Sequence, residues 1–344
     1  MTKLIWQKIG CVTGKAPIAF SPDNNILIGR SIDPDLRAFK FWDISQAIKF
    51  VRSQFLNTSS SFEYCVDSCL ASLAISSDAQ KIAIYNGYTI ELWNLNNGQI
   101  LDHLFITYDS LEMPSIGINF ISNEELIFWD NYWFWTWKFI PNRFICHLEI
   151  DRFPALCHIL NCFYNERLFL VINQKLLIIS TTESNNSDSV RNCFWEAKSL
   201  GFQVVREIKI DGITPTCLTI SQTGSFLLVG YSDGIIRLYD ANTGELIRCF
   251  SKHSSSVKSV AISPDCRSIA SVEESVDSDT SIKVWNTVTG ELNANLTGSS
   301  GAVTSLLFSP DSTKLATSGD IQVTLFALNP ELPKPTYSIN DDFF

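Results

Sequence analysis

Three segments of the sequence hold residues of the types that phosphate, zinc or calcium chemistry would need. The first, Gly10–Lys15, reads Gly-Cys-Val-Thr-Gly-Lys and resembles a phosphate-binding loop. Its two glycines stand one residue too close together, and Ala16 takes the place of the hydroxyl that would bind magnesium. The sequence also has no His-Glu-x-x-His and no Gly-x-Gly-x-x-Gly motif, so it lacks the starting residues of a zinc peptidase or a dinucleotide site.

The second segment supplies soft metal ligands, namely Cys146, His147, Cys157, His158 and Cys162. The chain contains repeated units, which are described below. We expect Cys146 and His147 on the outer strand of one repeat, and Cys157, His158 and Cys162 on the inner strand of the next. Neighbouring residues on a strand also point to opposite faces of its sheet. The ligands therefore do not converge on one ion, and we predict no zinc site.

The third segment, Glu273–Asp279, carries four carboxylates in one loop. Asp277 and Asp279 could hold calcium together with backbone carbonyl groups. The glycine-bearing spacing of an EF-type loop is absent, which favours a solvated acidic loop and leaves calcium as the weak alternative. The sequence predicts no bound metal and no cofactor.

The composition favours a folded protein that binds neither nucleic acid nor membranes. Hydrophobic residues make up 45% of the 344, and charged residues make up 18%. The net charge of −10 disfavours broad contact with nucleic acid or an anionic membrane. There is no Arg-Arg pair for a dedicated lipid site, and no run of about 20 apolar residues for a membrane span. The ten cysteines are scattered, often within apolar runs, so we expect reduced thiols in a cytoplasmic protein.

Two short motifs recur along the chain at intervals of roughly 40 to 50 residues. The first is Ser-Pro-Asp or a variant of it, and its copies begin at Ser21, Ser76, Ser122, Ser221, Ser263 and Ser309. The second contains an aromatic residue at Trp42, Trp93, Trp137, Tyr239, Trp285 and Phe326. The interval between Trp137 and Tyr239 is about twice as long as the others, so it contains an unmarked repeat. We expect its strands at 155–160, 168–172, 175–180 and 204–210, with a long insertion at 181–199.

These motifs and their spacing resemble the WD-repeat family of β-propellers over residues 1–328. The resemblance implies an all-β fold, a seven-bladed β-propeller of four-stranded antiparallel blades, with strands a to d in each blade and one domain over 1–328. The last repeat stops after its third strand, so residues 4–9 are expected to complete blade 7 and to close the ring. Residues 329–344 would follow as a C-terminal extended tail.

The resemblance also assigns structural roles to residues that could otherwise suggest chemistry. A buried hydrogen-bonded tetrad in the sixth blade would contain Trp285, Ser271, His253 and Asp279, which makes His253 structural rather than catalytic. Blades 1, 2 and 7 have no histidine in the corresponding loop, so apolar packing must stabilise them. The alternating tryptophans of 133–137 share one face of a strand, which favours packing between blades over stacking on a ligand.

The family resemblance implies a function in protein recognition, without catalysis. WD-repeat proteins most often recruit partners on the face formed by the d-to-a and b-to-c loops. On this face we expect Arg30, Arg37, Tyr88, Asp130, Tyr132, Arg152, Tyr231, Asp233, Lys252 and Asp320. The chain is therefore interpreted as a non-enzymatic scaffold that binds one or more proteins or peptides. The alternative is a hydrolase or lyase, or a small-ligand binder, that uses the mouth of the propeller channel.

Overall fold

The computed structural model consists of β-strands joined by turns and loops. The residues that the structure describes are 6–13, 15–21, 23–30, 38–45, 49–55, 72–76, 78, 80–85, 89–95, 97, 99–106, 117–129, 133–139, 143–149, 160–164, 167–172, 175–180, 203–209, 213–250, 253–275, 281–297, 301–319 and 322–328. Within these ranges, no helix is long and apolar enough to span a bilayer.

The strands of the described residues form seven four-stranded antiparallel sheets, numbered here along the chain. Sheet 1 contains β2 (Lys15–Phe20), β3 (Ile26–Arg30), β4 (Ala38–Asp43) and β5 (Lys49–Phe55). Sheet 2 contains β6 (Ser72–Ile75), β7 (Lys81–Tyr85), β8 (Thr89–Asn94) and β9 (Ile100–Phe105). Sheet 3 contains β10 (Gly117–Ser122), β11 (Glu125–Trp129), β12 (Trp133–Lys138) and β13 (Arg143–Glu149). Sheet 4 contains β14 (Leu160–Tyr164), β15 (Arg167–Ile172), β16 (Lys175–Ser180) and β17 (Gln203–Lys209).

The remaining sheets follow in the same order. Sheet 5 contains β18 (Pro215–Ile220), β19 (Phe226–Tyr231), β20 (Ile236–Asp240) and β21 (Leu246–Phe250). Sheet 6 contains β22 (Val257–Ile262), β23 (Ser268–Glu273), β24 (Ile282–Asn286) and β25 (Leu292–Leu296). Sheet 7 contains β26 (Ser305–Phe308), β27 (Lys314–Ser318), β28 (Gln322–Leu328) and β1 (Trp6–Thr13). Sheets 1 to 6 each contain four consecutive strands, whereas sheet 7 joins the first strand of the chain to the last three.

Contacts between residues divide the chain into two compact units. One unit contains residues 1–55 and 211–344, and therefore sheets 1, 5, 6 and 7. The other contains residues 56–210, and therefore sheets 2, 3 and 4. The expectation of a single domain over 1–328 stays a prediction.

The first strand, β1, pairs antiparallel with β28, so it lies in the same sheet as the last three strands. The ladder runs from Trp6 opposite Leu328 to Thr13 opposite Gln322. The strand ends four residues after the predicted 4–9, because residues 10–13 continue the ladder after an irregularity between Lys8 and Gly10; the predicted residues 4 and 5 lie outside the described part of the chain. Trp6 packs edge-on against Phe308, with ring centroids 5.9 Å apart. Closure of the sheets into a ring stays a prediction.

The unmarked repeat is present as sheet 4. Its third strand coincides with the predicted 175–180, and its second and fourth begin one residue earlier than predicted. The first strand was predicted at 155–160, but β14 covers Leu160–Tyr164. Apolar residues occur on both sides of Leu160, so the sequence pattern does not fix the register, which the pairing of Leu160 with Val171 in β15 sets. The predicted positions 155–159 and the insertion 181–199 lie outside the described residues.

The serine that begins each Ser-Pro-Asp motif explains why the motif recurs. In sheet 6 the buried Ser263 hydroxyl donates to Asp265 at 2.6 Å and accepts the backbone N–H of Ser268 at 2.9 Å. Ser309 makes the same two bonds to Asp311 and Lys314. A small hydroxyl can donate and accept at once, so it satisfies both the turn and the start of the next strand. The hydrogen bond from Ser21 is the main cause that lowers the pKa of Asp23.

In three of these turns, the residue after the aspartate has a left-handed backbone although it is not glycine. Asn24, Cys266 and Ser312 have φ values of 63°, 59° and 63°. The Asn24 side chain accepts the backbone N–H of Asp311 at 2.9 Å, which joins the turn of sheet 1 to that of sheet 7. Ser312 likewise accepts the N–H of Asp265 at 3.0 Å. A polar side chain is therefore retained at a strained position because it links neighbouring sheets.

Substitutions at Asn24 should separate the strain from the hydrogen bond. Asn24→Ala loses the bond to Asp311 and keeps the strained φ, so we expect the free energy of unfolding to fall by about 1–2 kcal/mol. Asn24→Gly loses the same bond but tolerates the left-handed backbone, so the fall should stay below about 1 kcal/mol. Denaturant titration of both variants measures the difference. A glycine variant as unstable as the alanine variant would show that the backbone at this position carries no strain.

Candidate partner-binding site

The loop face, as named here, is the edge of the sheets where the d-to-a and b-to-c loops lie. Its best described part belongs to sheets 5, 6 and 7, in residues 213–214, 232–235, 253–256, 274–275 and 301–304. The opposite edge, the turn face, carries the a-to-b and c-to-d turns. Both edges are described below within the unit that contains these three sheets.

Three of the ten residues predicted on the loop face, Arg30, Tyr231 and Asp233, lie within the described part of the chain. Arg30 is the last residue of β3. The residues that lie outside the described part of the chain are Arg37, Tyr88, Asp130, Tyr132, Arg152, Lys252 and Asp320. Asp233 is half-buried in the b-to-c loop of sheet 5, where it accepts the backbone N–H of Ile235 at 3.0 Å. Its carboxylate also lies 3.9 Å from the Arg237 guanidinium.

Tyr231 does not belong to the partner-binding surface, contrary to the prediction. Its side chain is 0% exposed, and its hydroxyl is 2.7 Å from that of Tyr239. The Arg237 guanidinium stacks over its ring at 4.2 Å. Burial, followed by the bond to Tyr239, raises the pKa of the Tyr231 phenol. The residue ends β19 rather than lying in the loop, and its side chain is covered by residues of β20 and does not reach solvent.

The structure brings together three of the four predicted tetrad residues in sheet 6. Trp285 donates its indole N–H to the Ser271 hydroxyl at 2.8 Å, and Nε2 of His253 is also 2.8 Å from that hydroxyl. All three side chains are at most 2% exposed. Asp279, like Asp277 of the possible calcium pair, lies outside the described residues. A buried polar network of this kind holds the 253–256 loop against the sheet.

Glu273 is the residue of this site that the motif comparison missed. Its carboxylate accepts the backbone N–H groups of Ser254 at 2.6 Å and Ser255 at 3.0 Å, and the Ser254 hydroxyl at 2.6 Å. It also lies 3.8 Å from Nδ1 of His253, a distance too long for a hydrogen bond. Glu273 follows Ser271 by two positions on β23, so strand alternation already places both on one face.

Burial and the neighbouring charges together set the protonation state of His253. Burial lowers the pKa of the imidazole to about 4, and Lys283 acts in the same direction, while Glu273 opposes the shift. Burial also opposes ionisation of Glu273, but the hydrogen bonds from Ser254 and Ser255 outweigh it and lower the pKa of this carboxyl. At neutral pH the site therefore pairs a neutral imidazole with an ionised carboxylate.

The segment Gly230–Gly234 has the Gly-x-Ser-x-Gly spacing of a hydrolase nucleophile elbow, but not its structure. An elbow places its serine between a strand and a helix. Here Ser232 lies in the turn between β19 and β20, two antiparallel strands of one sheet. The His253 ring is bonded to Ser271 and 1% exposed, so it does not serve as a base for Ser232. Among the described residues, no group of three potential metal ligands comes together.

The aromatic and cysteine-containing strands of sheets 3 and 4 are only partly described. Trp137 is fully buried in a core with Leu126 and Phe128, which confirms core packing for this tryptophan. Cys146 and His147 lie on β13, and Cys162 lies on β14, the strands expected to separate them. Cys157 and His158 lie outside the described part.

Comparison with known proteins gives matches to WD-repeat families. A family model described as the WD40 domain of anaphase-promoting complex subunit 4 matches residues 200–265. A second, the WD domain or G-beta repeat, matches residues 290–326. WD repeat-containing protein 91 of Gallus gallus is 26% identical over 98 residues, which is 28% of this chain and 13% of that protein.

A solved structure supports the same fold. The β-propeller domain of Cps50 (Swd1) from Myceliophteria thermophila aligns with a TM-score of 0.68 and 14% identity, covering 93% of this chain and all of that domain. The match to residues 290–326 spans the end of sheet 6 and strands a to c of sheet 7. The repeated turns, the four-stranded antiparallel sheets and these similarities together support a WD-repeat β-propeller fold for the chain.

Proposed function

We propose that the protein is a non-enzymatic scaffold that binds protein or peptide partners on the loop face. WD40 propellers are in general protein-interaction scaffolds, which supports the class of function by analogy. The observation that carries the proposal for this face is a set of backbone hydrogen bonds that fix its loops to one another.

These bonds alternate between d-to-a loops and b-to-c loops. Ser232 donates its N–H to the carbonyl of Thr214 at 2.9 Å, and His253 donates to the carbonyl of Gly234 at 2.8 Å. Glu274 donates to the carbonyl of Ser256 at 2.7 Å. Gly234 has a φ of 79°, and a Cβ there would lie 2.6 Å from the His253 carbonyl oxygen, so only glycine permits this approach. Loops fixed before binding lose little conformational entropy when a partner docks.

The residues that these hydrogen-bonded loops expose to solvent are suited to polar contacts. Thr214, Ser232, Ser254 and Glu274 are exposed, and they stand on loops fixed by the bonds above. The Thr214 and Ser232 hydroxyls can donate or accept, and the Ser254 hydroxyl, which donates to Glu273, can still accept. The Glu274 carboxylate lies 3.5 Å from Nζ of Lys258, and its exposed side can also pair with a lysine or arginine of a partner. We therefore expect partners to present a basic or hydroxyl-rich segment to this part of the face.

The enzyme alternative finds less support in the same residues. A catalytic site would need an accessible base or nucleophile with a partner to activate it. The imidazole of His253 is buried and structural, and Ser232 lies in a hairpin turn rather than an elbow. The described loops therefore support recognition better than hydrolysis or lyase chemistry.

A charge reversal on the loop face tests the proposal. We expect tagged wild-type protein, purified at native expression in its host, to bring a stoichiometric partner that quantitative mass spectrometry detects. Glu274→Lys should reduce recovery of that partner at least tenfold, because it replaces an exposed carboxylate at the centre of the fixed loops. Its backbone N–H is unchanged, so the bond to Ser256 and the fold should remain.

Glu245→Lys is the matched control, because Glu245 is equally exposed but lies in a c-to-d turn on the turn face. It makes the same change in net charge and should retain the partner. Equal recovery with both variants would contradict the assignment to the loop face. Repeated isolation of a solitary protein would contradict the scaffold function itself.

A further inference from the structure

The turn face carries a groove that the loop-face function does not use. It follows the ends of the inner strands of three successive sheets, and its residues include Ile220, Gln222, Ile262, Pro264, Phe308 and Pro310. The cavity volume is about 260 Å³. This is slightly below the roughly 300 Å³ at which small-molecule sites begin, and it suits inserted side chains better than a cofactor.

The groove is mainly apolar, with one exposed polar residue beside it. Ile220 and Ile262 are half-buried, Phe308 is buried and the two prolines are half-buried. Gln222 is exposed in the turn after β18. An apolar groove of this kind gains stability when aromatic or aliphatic side chains displace its water.

The chain passes next to this groove where β28 ends. The antiparallel pairing of β27 with β28 places Ala327 opposite Lys314, at the turn-face end of sheet 7. Leu328 donates its N–H to the carbonyl of Thr313 at 2.8 Å, in the same turn that contains Pro310. Only β27 separates β28 from the inner strand β26, a distance of about 10 Å between the two strands. The last described residue, Leu328, therefore lies close to the groove, on the face where the groove opens.

The segment 329–344 has the length and chemistry to fill the groove. Its 16 residues can span about 50 Å when extended, far more than the distance required. It contains the aromatic residues Tyr337, Phe343 and Phe344 as anchors. Its three prolines stiffen the chain before docking, which lowers the entropy lost on binding.

We propose that the segment 329–344 binds in cis to the turn-face groove and inserts its aromatic side chains among the apolar residues of sheets 5, 6 and 7. A segment tethered this closely has an effective concentration of the order of millimolar. Even modest intrinsic affinity, near ~100 μM, would therefore keep the groove occupied and would weaken competition by the same sequence in trans about tenfold or more. The proposal concerns the turn face and does not depend on the function of the loop face.

A peptide titration on the full chain tests this proposal. The probe is a fluorescein-labelled synthetic peptide of residues 329–344, and binding is followed by fluorescence anisotropy. We expect the variant with Tyr337→Ser, Phe343→Ser and Phe344→Ser to bind the peptide at least tenfold more tightly than the wild type, because its own segment no longer competes. Equal affinities, or failure of the variant to bind the peptide, would overturn the proposal.

Two substitutions at Gln222 show whether the peptide binds in this groove. The peptide carries three side-chain carboxylates, a C-terminal carboxylate and one lysine, so Gln222→Lys in the triple-serine background should strengthen binding and Gln222→Glu should weaken it. The side chain is exposed, so neither change should disturb folding. Identical affinities for the two variants would place the peptide elsewhere and overturn the assignment to the groove. Neither result bears on the loop-face variants Glu274→Lys and Glu245→Lys.

Discussion

Deletion of residues 1–9 is expected to lower the free energy of unfolding by about 5 kcal/mol or more and the thermal midpoint by roughly 10 °C. The deletion removes Trp6, which is 8% exposed and packs with Leu296, Phe308 and Phe326 in the core between sheets 6 and 7. Loss of a buried tryptophan side chain alone costs about 3–5 kcal/mol. The deletion also removes the part of the β1 ladder that pairs with Phe326, Ala327 and Leu328.

The exposed edge of β28 should add a second, kinetic effect. Without residues 6–8 of β1, the end of β28 at Phe326–Leu328 would present unpaired backbone groups beside apolar side chains, which is a template for aggregation. Thermal unfolding followed by circular dichroism measures the midpoint, and light scattering measures aggregation.

Point substitutions in the same strand provide the controls for the deletion. Trp6→Ala should account for most of the loss, whereas Gln7→Ala, at an exposed position of β1, should leave the midpoint within about 2 °C of the wild type. A truncated protein that melts at the wild-type temperature would contradict a stabilising role for the pairing of β1 with β28.

The repeated strands could be predicted from the sequence because their turns have strong local chemistry. Ser263 and Ser309 each satisfy a turn aspartate and the first N–H of the next strand, so the motif marks the boundary between strands a and b. In sheet 4 this motif is absent, and there the predicted first strand was displaced. Apolar residues alone predict that a strand exists, but its register depends on the partner strand.

The polar networks inside the sheets were predictable only where the full motif is present. In sheet 6 the Trp285 indole finds Ser271, as the resemblance implied. In sheet 2 the equivalent Trp93 donates instead to Glu91 on its own strand at 3.0 Å, and Glu91 is only 4% exposed. Both solutions satisfy the buried N–H, which costs free energy if left without a partner. The sequence shows that each buried indole N–H needs a hydrogen-bond acceptor, but which residue accepts depends on packing between sheets.

The partner-binding face was harder to predict because exposure at a loop edge changes from one residue to the next. Tyr231 and Ser232 are neighbours, yet the tyrosine is buried and the serine is exposed. From the sequence, Tyr231 was expected among the residues of the loop face. The sequence could not show that the Tyr231 ring would be covered by Arg237 and bonded to Tyr239.

Acidification from pH 7.5 to 5 should destabilise the protein by about 2 kcal/mol through His253 alone. The folded imidazole has a pKa of about 4, whereas an unfolded histidine titrates near 6.5. Between these values the unfolded chain binds a proton that the folded chain excludes, so protons favour unfolding. The destabilisation through His253 is therefore small above pH 6.5, grows as the pH falls, and reaches its full size below pH 4. Glu273 on β23 and Lys283 on β24 are the charged groups that act on this ring.

Denaturant titrations at several pH values can isolate this contribution. His253→Gln keeps a polar group near Ser271 but removes the titration, so its stability should change about 2 kcal/mol less than that of the wild type over this pH interval. His103→Gln is the matched control, because His103 is exposed on β9, and it should retain the pH dependence of the wild type. The same pH dependence in His253→Gln and the wild type would show that the buried ring does not exclude its proton. Because the ring joins the 253–256 loop to Ser271, the loss of stability near pH 5 should begin at the loop face.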